Sequence, residues 1–89
     1  MMERENALNE IFIKRVGVDF KKQQHLRDKK LLGIEINAPS RELVMVLYDI
    51  ENKFCIRIED EFILGGGFDT FNNIAGYLDH LGAIDLNKL

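Results

Sequence analysis

Asn37-Ala38-Pro39-Ser40-Arg41-Glu42-Leu43-Val44-Met45-Val46-Leu47-Tyr48-Asp49-Ile50-Glu51-Asn52-Lys53-Phe54-Cys55-Ile56-Arg57-Ile58 is the stretch on which the reading of this chain turns. Pro39 disfavours the helical region for Ala38 before it. Ser40 then stands where an apolar helix begins, and a serine there is expected to cap the helix by accepting a bond from a first-turn N–H. A hydroxyl at that place sits at the positive end of the helix dipole, where a phosphate is welcome. Val44, Leu47, Ile50 and Phe54 recur at helical spacing, which predicts a helix over 40–54 with these four on its core face. Leu43, Met45, Val46 and Tyr48 widen the apolar surface beyond one stripe, so that surface must be covered by other chain or bind something. Cys55-Ile56-Arg57-Ile58 alternates like a strand, but with no partner strand in sight it reads as an extended linker.

Working outward, residues 3–17 read as a helix with Leu8, Ile11, Phe12 and Val16 on one face and Gly17 as its stop. Residues 18–39 form a connection long for a compact domain, in which Leu31, Leu32, Ile34 and Ile36 are expected to pack back onto the helices while Glu35 faces water. Residues 59–64 read as a short helix with an acidic first turn, stopped by Gly65-Gly66-Gly67. That glycine run lacks the Lys-Ser/Thr and the preceding strand of a phosphate loop and reads as a flexible turn. Residues 70–81 read as a last helix, capped by Asp69 or Thr70, with Phe71, Ile74, Leu78 and Leu81 on its core face. Gly76 would let another helix approach, Gly82 would end the helix, and residues 83–89 would be a tail. The core is expected to unite Leu8, Phe12, Val44, Leu47, Ile50, Phe54, Ile74 and Leu78.

Eighty-nine residues, 46% of them hydrophobic, suffice for one domain with one small core. Cys55 is the single cysteine, so no intrachain disulfide forms, and its apolar setting predicts a buried, inert thiol. His25 and His80 stand apart without metal-ligand spacing, so no metal site is expected. Nothing beside Ser40 looks like an activating base, which argues against an enzyme. A charged N-terminus without a secretory apolar stretch, and no apolar run of spanning length, lead to a cytoplasmic, non-membrane expectation. Residues 1–30 hold eight Lys/Arg against five Asp/Glu, and residues 31–89 hold four against ten. With no basic stripe outside residues 14–30, a nucleic-acid partner is not expected.

The serine-opened helix, its run through Val44, Leu47, Ile50 and Glu51 to Phe54, and the Ile56-x-Ile58 segment resemble the core of the acyl and peptidyl carrier proteins. Phe68-Asp69-Thr70-Phe71 is similar to that family's start of the last helix, and the resemblance spans roughly residues 5–82. The chain departs from the family in having Pro39-Ser40-Arg41 where the family has Asp-Ser followed by an apolar residue. The resemblance implies an all-α, acyl-carrier-like four-helix bundle with a long first loop and a short third helix. It implies that Ser40 carries 4′-phosphopantetheine and that the arm's thiol holds an acyl or aminoacyl group as a thioester. It further implies a monomer that meets a phosphopantetheinyl transferase and acyl- or peptide-processing enzymes of fatty acid, polyketide or peptide biosynthesis. Glu42, Met45, Asp49 and Glu51 would be its docking surface. The alternative is a carrier-like domain without the arm, acting as a protein-interaction module.

Overall fold

Each helix of this chain starts and stops where local chemistry directs it. The computed structural model describes the backbone of residues 2–88 and the side chains of residues 4–81. The order is α1 (Met2–Val16), α2 (Ser40–Phe54), α3 (Asp60–Leu64) and α4 (Phe71–Lys88), with single 3-10 turns at Gln24–Leu26 and Gly67–Asp69. There is no strand among the described residues. The chain is all-helical. α1 ends at Gly17, whose φ of +81° is the left-handed stop that glycine adopts without strain, and whose N–H closes onto the Phe12 carbonyl at 3.0 Å. α4 is capped by Thr70, whose Oγ1 accepts the Asn73 N–H at 3.1 Å.

α1 lies antiparallel to α4. Phe12 meets Phe71 at the start of α4, and Arg4 meets Asp79 halfway along it at 3.1 Å. α1 is also antiparallel to α2, since Arg15 pairs with Asp49 while Ala7 and Ile11 share a groove with Asn52 and Lys53. Between them sits a core built on three phenylalanines. Phe20 stacks on Phe71 at 4.4 Å between ring centres, and Phe12 meets both edge-on at 5.4 and 5.7 Å. Leu8, Leu31, Val46, Ile50 and Ile74 close around them, all essentially inaccessible to solvent.

The long connection is tied down rather than loose. Asn9 of α1, buried, accepts the Phe20 N–H at 2.8 Å and donates to Asp19 Oδ1 at 2.9 Å. The Arg27 guanidinium reaches Glu5 of α1 and Asn72 of α4 and lies 4.9 Å over the Phe71 ring. Leu31 donates its N–H to the Asp69 carbonyl and accepts from the Ala38 N–H, each at 2.8 Å.

Five sequence expectations are corrected here. The buried face of α2 is Leu43, Val46 and Ile50, while Val44 is 48% exposed and Leu47 and Phe54 are half-buried. With every residue from 43 to 47 apolar, two phases of the helix fit the periodicity equally well. Rotation is set from outside α2, by Arg15 holding Asp49 on one side and the Ile58 N–H holding Glu51 on the other. Within the connection, Leu31 is buried and Ile36 half-buried, but Leu32 and Ile34 are exposed. Cys55 is exposed, because it takes the left-handed position (φ 54°) that ends α2 and so points away from the core. Nothing lies close to Gly76, so no helix approaches there. α4 does not stop at Gly82 but continues to Lys88, a single glycine costing a helix only about 1 kcal/mol. The end of the expected tail, residue 89, lies outside the described residues.

Candidate functional site

Ser40 is the first helical residue of α2 and does not cap it. The cap position belongs to Pro39, whose extended backbone (φ −64°, ψ 136°) turns the chain into the helix, and no side chain bonds the free N–H groups there. Proline favours this arrangement because its fixed φ suits the turn into a helix and it has no N–H to leave unpaired. The Pro39 carbonyl accepts the Leu43 N–H at 3.1 Å, closing the first turn. The Ser40 hydroxyl is therefore exposed and unused by the cap.

Beside it opens an apolar cleft of about 420 Å³. Leu31 and Leu32 of the connection, Leu43 of α2, Ile63 of α3 and Phe68 of the following turn form its walls. Lys30, Ser40 and Asp69 supply its polar positions. Asp69 accepts a bond from Asn73 at 2.7 Å. The far wall depends on the glycine run. A Cβ on Gly67 would overlap the Phe62 ring, so glycine is needed for α3 to fold down. Phe62 in turn stacks on Tyr77 of α4 at 3.9 Å, and the Tyr77 hydroxyl accepts the Glu59 N–H at 3.3 Å. Gly67 is thus packed under Phe62, while Gly65 and Gly66 are exposed.

Two of the four residues expected at the docking surface make bonds within the fold. Asp49 is held by Arg15 through Nε at 2.6 Å and a terminal nitrogen at 3.2 Å. That pairing keeps its carboxyl below the ordinary aspartate range, against a smaller opposing effect of burial. Glu42 also acts on Arg15 through its charge. Glu51 accepts the Ile58 N–H at 2.9 Å and ties the linker to α2. Met45 is half-buried.

Lys30, Leu31 and Phe68 belong to the site; Leu31 carried a signal in the sequence as part of an apolar run demanding cover and Phe68 as part of the Phe68-Asp69-Thr70-Phe71 stretch, whereas Lys30 carried none. The Leu31 hydrogen bonds to Asp69 and Ala38 join the connection to the turn before α4 and to the start of α2. Among the described residues no cluster of three or more His, Cys, Asp or Glu is placed to hold a metal ion, and no helix is long and apolar enough to cross a membrane. No protein-family model matches the chain, and neither a curated protein nor a solved structure matches it.

Proposed function

We propose that this chain is a carrier protein in which Ser40 bears 4′-phosphopantetheine and the arm's thiol presents an acyl or aminoacyl thioester to partner enzymes. The observation that carries the reading is the exposed Ser40 hydroxyl, first in α2 and unused by the helix cap, at the mouth of an apolar cleft. Three further features support it. The free N–H groups of the 15-residue α2 favour a phosphodiester anion on Ser40. Lys30 on the cleft wall and Arg41 beside the serine add positive charge. The order of a long first helix, a long connection, a serine-opened helix, a five-residue helix and a last long helix agrees with an acyl-carrier-like four-helix bundle.

In the modifying step Ser40 Oγ bonds to the phosphorus of coenzyme A that bears the pantetheine. The pyrophosphate P–O bond breaks, adenosine bisphosphate leaves, and the hydroxyl proton passes to a base of the transferase. The carrier performs no chemistry on the cargo itself. Fatty acid, polyketide or peptide biosynthesis are the settings this chemistry fits, with the chain acting as a cytoplasmic monomer.

Intact mass tests this. The purified chain is incubated with coenzyme A and a broad-specificity phosphopantetheinyl transferase, with Ser40→Ala as control. A gain of one phosphopantetheine on the parent alone is expected. A bare parent both here and after expression in its native host overturns the reading.

A second reading has an observation of its own. Pro39 rather than an aspartate caps α2, and an exposed Arg41 follows the serine. These favour a carrier-like interaction module without an arm, for which Ser40→Ala leaves partner binding unchanged. Because Ser40 is not the cap, Ser40→Ala should shift unfolding stability by less than about 0.5 kcal/mol under either reading.

A further inference from the structure

The walls of the cleft at Ser40 are not held equally. Leu31 is fixed by backbone bonds to Asp69 and Ala38, and Leu43 is buried in α2. Ile63 and Gly66 line the cleft from a segment, residues 59–67, in which no residue is buried. Two buried residues bracket that segment. Ile58 precedes it, tied by its N–H to Glu51, and Thr70 follows it, capping α4. In its middle lies α3, whose five residues are too few for a helix to persist without tertiary support.

The segment is bonded chiefly to itself. The Phe62 and Ile63 N–H groups close onto the Glu59 carbonyl, Gly65 onto Glu61 and Gly66 onto Ile63. Among the described residues, the hydrogen bond that ties it to another helix is the one from the Glu59 N–H to the Tyr77 hydroxyl, and no ion pair reaches it. Tyr77 holds it a second time through the stack of its ring on Phe62. Ile63 is half-buried toward the cleft, while Asp60, Glu61 and Leu64 are exposed. At the far end Gly66 turns with a φ of +85° and has open space around it. A segment with few buried contacts and mostly internal hydrogen bonds opens at a lower free energy than the core it rests on.

We propose that residues 59–67 are a lid on the cleft at Ser40, latched by Tyr77 and hinged at Glu59 and at Gly65–Gly66, which lifts to let an apolar group enter or leave. An apolar group lodged between Leu43 and Ile63 holds the lid shut, because lifting it would return that surface to water. The lid belongs to the bare chain, with or without an arm on Ser40, so the intact-mass result does not bear on it.

Amide hydrogen exchange of the unmodified chain, read residue by residue by NMR, tests this. In the parent, the Glu59, Ile63 and Leu64 amides should exchange faster than those of Val46 and Ile50, and should respond little to low urea while the core amides respond strongly. Tyr77→Phe keeps the ring and removes the hydroxyl, and should quicken Glu59, Ile63 and Leu64 about threefold or more. Tyr77→Leu also removes the stack and should quicken them about tenfold or more. In both variants Val46 and Ile50 should keep the parent rates within about twofold. Lys30 and Asp69 both line the cleft, so the probe for the apolar walls is an uncharged one, 1-octanol. It should shift the Leu31, Leu43 and Ile63 signals and slow exchange in 59–64. The proposal is overturned if 59–64 exchanges only with the core, or if the Tyr77 variants quicken core and segment alike. It is equally overturned if octanol leaves exchange in 59–64 unchanged or shifts residues away from the cleft.

Discussion

Asn9 carries more of this fold than its place among polar residues on a helix implies. Its amide holds the Phe20 N–H and the Asp19 carboxylate together, and so delivers Phe20 to the core directly after α1 ends. Asp19 sits below the ordinary aspartate range chiefly because Asn9 donates to it, with the Lys21 and Lys22 N–H groups adding to the effect against burial. Replacing Asn9 by leucine keeps the bulk but leaves the buried Phe20 N–H without a partner. Denaturant unfolding of Asn9→Leu should show a loss of about 1–3 kcal/mol, and an unchanged midpoint would refute this role for the amide. Nothing in the sequence marks Asn9, since its partners lie in a loop whose path the sequence does not specify. Ser40 is the contrary case. Its position at the start of α2 was legible from Pro39 and the apolar run behind it. Its hydroxyl was misread as the cap, because the cap falls one residue earlier.

Among elements, α1 and α2 are locked by the two-pronged Arg15–Asp49 pair, both side chains about a quarter exposed. Asp49 is held below its ordinary value in the folded chain, so the pair stabilises fully above the unfolded aspartate value of about 3.9. That contribution fades as pH falls through the lowered folded value. Parent stability should therefore drop as pH falls below about 4, and Asp49→Asn should lose this part of the acid dependence. Equal pH slopes for the two proteins would show the pair to be energetically idle. α3 has five residues, none of them fully buried. Gly67→Ala should push Phe62 off Tyr77, so that hydrogen exchange quickens in 60–64 while the Phe12–Phe20–Phe71 core keeps its protection. Uniform protection along the chain would show that α3 is held by something else. The sequence placed α3 within a residue from its acidic first turn and the glycines after it. It did not show that the Phe62 ring lies against Gly67, because that contact depends on how α3 folds down.

The whole molecule closes around Phe12, Phe20 and Phe71, which come from α1, the long connection and α4. Its radius of gyration of 12.5 Å is close to the roughly 12 Å expected of a compact chain of this length. Phe20→Ala should cost about 3–5 kcal/mol in thermal or denaturant unfolding, since it empties a site ringed by two aromatic neighbours and unseats the connection. A loss below about 1 kcal/mol would mean that the connection folds independently of that ring. The all-helical class, the four helices and most of their ends were determined by the sequence alone. Periodicity, a proline before α2, a glycine after α1 and a threonine before α4 are local signals, and local signals act within a turn or two of backbone. Which face of α2 is buried, where Cys55 points, and which residues of the connection join Ser40 at the cleft were decided only by tertiary structure. In a stretch where every residue from 43 to 47 is apolar, hydrophobicity does not choose between rotations of the helix. Arg15, thirty-four residues from Asp49, and the Ile58 N–H at Glu51 make that choice.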